Sequence, residues 1–271
     1  VLASGGIPHR LESTGDALTL SVPEEEAGRA REALDAFDAE ERARAEERTR
    51  ARSLVAADRP VPWVLGIVAG LLLIEGFVVT GPPAAGSRWF ERGAAIAGLM
   101  RAEPWRSVTA LTLHLDVAHV AGNAVATAVL LPAVAQRFGA GAGLLLVVLA
   151  GAVGNVLAAM THAPDHAAVG ASTATFAAIG MLGVLRLCTG SAGERTRWKS
   201  WTIPAASLLL LVLLGTGRGA DVLAHVTGFV SGAVVGLVGA VSRRPLGPAV
   251  QWAFGALSAA IIAACWLRAL A

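Results

Sequence analysis

The chain has 271 residues, 55% of them hydrophobic and 15% charged, with no tyrosine, a formal net charge of +2 and a mean hydropathy of +0.61. Soluble domains carry roughly a quarter charged residues, so the composition describes a polytopic membrane protein, and the near-balanced charge gives no reason to expect a nucleic-acid partner. Two cysteines, Cys188 and Cys265, lie in apolar segments, form no disulfide framework and match no zinc spacing.

Much of the charge falls before residue 60, which predicts a soluble segment over 1–60. The first residue is Val1, not methionine, and no signal peptide precedes the charged part, so the true start is expected upstream. Ala17 to Val22 alternates and predicts one short strand. Pro23 then opens a charged run, Glu24 to Arg52. Ser21 is a candidate cap, Pro23 suits a first helical turn, and Glu24, Glu25 and Glu26 favour the positive end of a helix. Leu34 and Phe37 give only a thin apolar stripe, as in a solvated helix leading to the membrane; a small partner-binding unit is the alternative.

Pro62 to Thr80 is the first candidate span, interrupted by Glu75 near its far end. A long loop, 81–110, follows with aromatics and arginines suited to a headgroup layer, and its apolar piece Ala94 to Met100 is expected to dip into the interface. Further spans are expected at Val117–Val134, Gly141–Met160, Ser172–Leu187, Trp201–Leu214, Asp221–Val241 and Ala249–Leu267, making seven with the first. Arg137 and the basic breaks Arg186–Lys199 and Arg243–Arg244 place those ends in the cytoplasm. The expected topology is N-terminus in and C-terminus out, in the cell inner (plasma) membrane. Gly228, Gly232 and Gly236 recur every fourth residue on one helical face, a spacing that lets two helix backbones approach closely.

Polar groups inside apolar segments are costly and mark candidate working sites. His119 and Asn123 are four apart, so they share a helix face, and both can donate to a developing oxyanion. Metal binding competes for them, but it wants more ligands, and no HExxH is present. In Gly170-Ala171-Ser172-Thr173 the serine opens the fourth span; alone it reads as a helix cap. A serine nucleophile needs a base within hydrogen-bond reach and donors for the oxyanion, and a helix start has free N–H groups. The candidate base is His225, near the start of the sixth span. Spans two, four and six run the same way, which puts Asn123, Ser172 and His225 at one depth. Gly228 and Gly232 lie one and two turns below His225 and would let its helix pack tightly. His162, Asp165 and His166 read as a solvated loop rather than a metal site, and Asp221 carries little weight as an orienter of His225.

Four motifs then stand together: Trp105-Arg106, HLDVAHVAGN at 114–123, GAS at 170–172 and AHVTGFVSG at 224–232. With them the chain resembles the rhomboid family of intramembrane serine proteases over about 62–241. The resemblance implies an all-α polytopic membrane helical bundle, with a six-helix core over 61–245 and an additional C-terminal transmembrane helix over 246–271. It implies a Ser–His dyad: Ser172 as nucleophile and His225 as general base, then acid. His119, Asn123 and the Ser172 N–H would form the oxyanion hole, with His114 and Gly170 in support and Trp105 and Arg106 shaping the first loop. Substrates would be transmembrane segments of other proteins in the bilayer, with no cofactor or metal. The family pattern GxSG is broken here, since Thr173 replaces the second glycine, and threonine lacks glycine's backbone freedom. The rivals are a catalytically inactive relative that binds membrane proteins and a transporter, although no repeated halves are seen.

Overall fold

The computed structural model describes residues 1–14, 17–55, 62–84, 86–189, 221–241 and 246–271. It divides into two units, Val1–Arg59 and Pro60–Ala271. In the first, two strands, β1 (Arg10–Thr14) and β2 (Ala17–Ser21), pair antiparallel with Leu11 opposite Leu20. The sequence predicts only the second, because Leu11 is the sole large apolar residue of RLEST and leaves no alternation to read. Ser21 ends β2, and Pro23 takes the N-cap position of a single tight turn, Glu24–Glu26, with no side-chain cap. Helix α1 (Ala27–Val55) follows. Leu2, Ile7 and Ala30, flanked by Val22, Ala33 and Leu34, form this unit's small core.

The second unit is a helical membrane bundle. Helix α2 (Trp63–Thr80) is apolar on all sides but for Glu75. Val64, Leu71, Leu72 and Val78 are left exposed along it, as a lipid-facing helix requires. Its inner side is marked by two glycines. A Cβ on Gly66 would stand 2.5 Å from Ala128 O, and one on Gly70 2.9 Å from Ala124 O, so α2 lies directly on the backbone of α5 (Val117–Phe138). The start of α5 is fixed by Asp116, whose carboxylate accepts the His119 N–H at 2.8 Å. Gly139, at φ +89°, turns the chain into α6 (Ala140–Ala159). Then come α7 (Ser172–Thr189), α8 (Val222–Val241) and α9 (Pro248–Leu270). Among the described residues, α2, α5, α6, α8 and α9 are long and apolar enough to cross a bilayer, and Ser172–Cys188 is a shorter apolar helix. The expected fifth span, Trp201–Leu214, lies outside the described residues, as do 190–199 and Arg243–Arg244.

The loop between α2 and α5 is folded rather than loose. It holds the short α3 (Arg88–Gly93), strand β3 (Ala95–Ile96) and α4 (Arg106–Thr109). Arg106 is 3% exposed, pairs with Glu103 and donates to the carbonyls of Glu91 and Ala94, each at 2.9 Å. A buried guanidinium is tolerated because its donors are occupied. Within the piece Ala94 to Met100, Leu99 is left 39% exposed. Ala94, Ala95 and Met100 are buried in the protein, the last two beside Val156, Ala159 and Ala168. Strand β3 pairs antiparallel with β4 (Ala167–Ala168), which ties this loop to the one ahead of Ser172.

The last helix is latched to the bundle near both ends. Gln251 donates to Phe138 O and accepts from Ala142 N–H, each at 2.9 Å, so one side chain serves the whole turn between α5 and α6. Farther along, Trp266 Nε1 donates to Thr112 Oγ1 at 3.0 Å, and Arg268 lies 4.8 Å from the Trp105 ring centroid.

Candidate active site

Helices α7 and α8 approach backbone to backbone. A Cβ on Gly228 would sit 2.3 Å from Thr173 O, on Gly232 1.9 Å from Ala177 O, and on Gly236 2.6 Å from Met181 O. The glycine stripe of α8 thus runs along a matching stripe of α7, also at four-residue steps, and no side chain separates the two. Ser172 and His225 lie at the same end of this seam. His225 Nε2 stands 2.8 Å from Ser172 Oγ, and the two residues are 2% and 6% exposed.

The turn into α7 is built by glycine. Gly170 adopts φ +133°, which side chains rarely allow, and a Cβ there would lie 2.7 Å from His119 Nε2 and 3.4 Å from Ser172 Oγ. Gly170 N–H donates to Ala110 O at 2.9 Å, and Ala171 N–H points at His114 Nε2 at 3.4 Å, so the first loop and His114 hold the backbone before the serine. His114 and His119 meet edge to face, with centroids 5.2 Å apart. Leu115 N–H faces His119 Nδ1 at 3.4 Å; that contact leaves the proton on Nε2, the nitrogen turned toward Gly170. Asn123, one turn deeper on α5, is 1% exposed, and both its amide nitrogen and oxygen lack a hydrogen-bond partner among the described residues. A buried amide without partners is unfavourable unless something else binds it.

The structure therefore gathers Ser172, His225, His119, His114 and Gly170 into one locality, with Asn123 below His119 on the same helix. Thr173 keeps a normal helical backbone, since no non-glycine described residue has positive φ. Its Cγ2 lies in the groove where Cβ atoms on Gly154 and Gly228 would otherwise reach, 2.8 and 3.0 Å away. Small residues on α6 and α8 thus make room for the side chain that departs from the family pattern.

Asp221 does not orient His225. Its carboxylate caps α8 by accepting Ala224 N–H at 2.9 Å and is met by His162 and His166, while His225 Nδ1 has no hydrogen-bond partner among the described residues. The loop holding His162 and His166 is thus pinned to α8, not free in solvent; Asp165 is exposed and takes no part. Sequence reasoning also misses Phe176, whose ring stacks on His225 at 4.5 Å and 21°. The signal was its position one turn after Ser172, on the same face. Phe176 is a positioning residue. With Ser172 and His225 acting as a nucleophile–base pair, Phe176→Ala would lower kcat by about 10-fold or more with little change in KM.

The Rhomboid domain family matches residues 101–242, from the folded first loop to the end of α8. No curated protein matches the chain. A domain match over more than half the sequence, laid on helices that span a bilayer, shows that this multi-pass membrane protein belongs to the rhomboid family.

Proposed function

We propose that the protein is an intramembrane serine endopeptidase that cuts transmembrane segments of other membrane proteins. The observation that carries this reading is the 2.8 Å approach of Ser172 Oγ to His225 Nε2 in a buried setting. Ser172 Oγ attacks the scissile carbonyl carbon as His225 Nε2 takes its proton. The carbonyl oxygen becomes an oxyanion, held by His119 Nε2–H, the Asn123 amide and the Ser172 N–H. Collapse breaks the C–N bond, His225 gives its proton to the leaving amine, and an acyl-Ser172 ester remains. Water, deprotonated by His225, then hydrolyses the ester and restores the serine. That no described residue pairs with His225 Nδ1 fits a dyad with no carboxylate.

Residues 1–60 are proposed as a cytoplasmic segment and α9 as an extra span beyond the core, in the plasma membrane with the C-terminus outside. Purified protein should be labelled by a fluorophosphonate at Ser172, located by peptide mass, and should cleave a model transmembrane substrate. A protein that takes no label and cuts no substrate would instead be an inactive, membrane-protein-binding relative. Asn123→Ala is expected to lower kcat about 10²- to 10³-fold while Ser172 stays labelled at a reduced rate, because the nucleophile is intact and one oxyanion donor is gone.

A further inference from the structure

Apart from the dyad, His162, His166 and Asp221 form a cluster of metal-capable groups, with their ligand atoms all within 4.8 Å of one another. His162 Nε2 lies 3.0 Å from one Asp221 oxygen and His166 Nε2 2.8 Å from the other. The two rings stack with centroids 3.6 Å apart and 15° between planes, and both Nε2 atoms face the one carboxylate. One shared ion needs the two lone pairs to converge, so the stacked rings tilt apart when it binds. The side chains are 10% exposed at Asp221, 22% at His162 and 35% at His166, which leaves a path for an ion to reach them.

We propose that His162 Nε2, His166 Nε2 and the Asp221 carboxylate form a binding site for a divalent transition cation of the zinc class. Two imidazoles with one carboxylate favour zinc, cobalt or nickel over magnesium or calcium. Metal bonds of about 2.0–2.2 Å in a tetrahedron put ligand atoms roughly 3.3–3.6 Å apart, so the Nε2–carboxylate contacts of 2.8 and 3.0 Å open by a few tenths of an ångström as the cation replaces the two hydrogen bonds. Each neutral imidazole shifts its proton from Nε2 to Nδ1 to free the lone pair, and water fills the remaining position. The bound cation clamps the loop ahead of Ser172 to the first turn of α8, where His225 N–H donates to Asp221 O at 3.1 Å. This site stands on its own geometry, whatever the dyad does.

The test uses the full chain carried on a histidine-free tag and stripped with a chelator. Titration with Co²⁺ should give the visible bands of a four- or five-coordinate site at about one metal per chain, displaced by Zn²⁺, and Zn²⁺ should raise the melting temperature. In the double variant His162→Gln with His166→Gln, each amide still donates to Asp221, so the metal-free melting temperature stays close to that of the parent. Its metal affinity should fall at least about 100-fold, and the Zn²⁺-dependent rise should vanish. One metal per chain in that double variant would place the ion elsewhere and overturn the proposal. Absence of both cobalt bands and a melting shift at millimolar metal would overturn it too, leaving a hydrogen-bonded clip.

Discussion

Ser172→Ala and His225→Ala are each expected to lower kcat for a transmembrane substrate by about 10⁴- to 10⁶-fold, and the double variant is expected to be no slower than either alone. The reason is that the two side chains act as one device. With Oγ gone there is nothing for the imidazole to deprotonate, and without the imidazole a neutral hydroxyl is a weak nucleophile. The residual rate belongs to the oxyanion donors and substrate binding, which neither change touches. Single-turnover cleavage in reconstituted vesicles, with all three variants melting like the parent, reads the effect. Losses that multiply in the double variant, or turnover that survives Ser172→Ala, would show that the 2.8 Å contact is not the working pair.

The second large effect is expected far from the chemistry. Gly232→Val should destabilise the bundle by about 3 kcal/mol or more and lower kcat at least about 10²-fold. Even the first added carbon would lie 1.9 Å from Ala177 O, a backbone atom that cannot rotate aside. Helix α8 must move off α7, and His225, two turns up the same helix, moves with it. A displacement of about an ångström is enough to break a hydrogen bond to Ser172. Gly28→Ala is the control, since a Cβ there meets nothing within 4 Å, and it should leave both melting and cleavage unchanged. A Gly232→Val protein that melts and turns over like the parent would mean that the two helices do not rest on each other along this stripe.

Much of the bundle was legible because two strong signals marked it. Long apolar runs declare spans, and glycines at four-residue spacing declare which face meets a neighbour, as with Gly228 and Gly232. The Gly66 and Gly70 pair carried the same signal on α2, where it is buried against α5. What stayed hidden depends on contacts between distant residues. Trp105 and Arg106 were expected to shape the first loop, but nothing near Arg106 announces that it will hold the carbonyls of Glu91 and Ala94. Gln251 is one polar residue in an apolar helix until its partners, more than a hundred positions away, are known. At the site, residue types and shared depth could be argued from helix direction. The stacking of Phe176 and the docking of Asp221 onto His162 and His166 could not, because each needs the lateral arrangement of three segments.

The Gln251 latch gives the order of biosynthesis a meaning. While α2 to α8 leave the ribosome, the Phe138 carbonyl and the Ala142 amide must find other partners, and Thr112 waits without its tryptophan donor. Only when α9 has been translated does the turn between α5 and α6 gain its bridging amide. A copy that has not yet docked α9 thus differs from one that has by a pair of peptide groups that Gln251 does not serve.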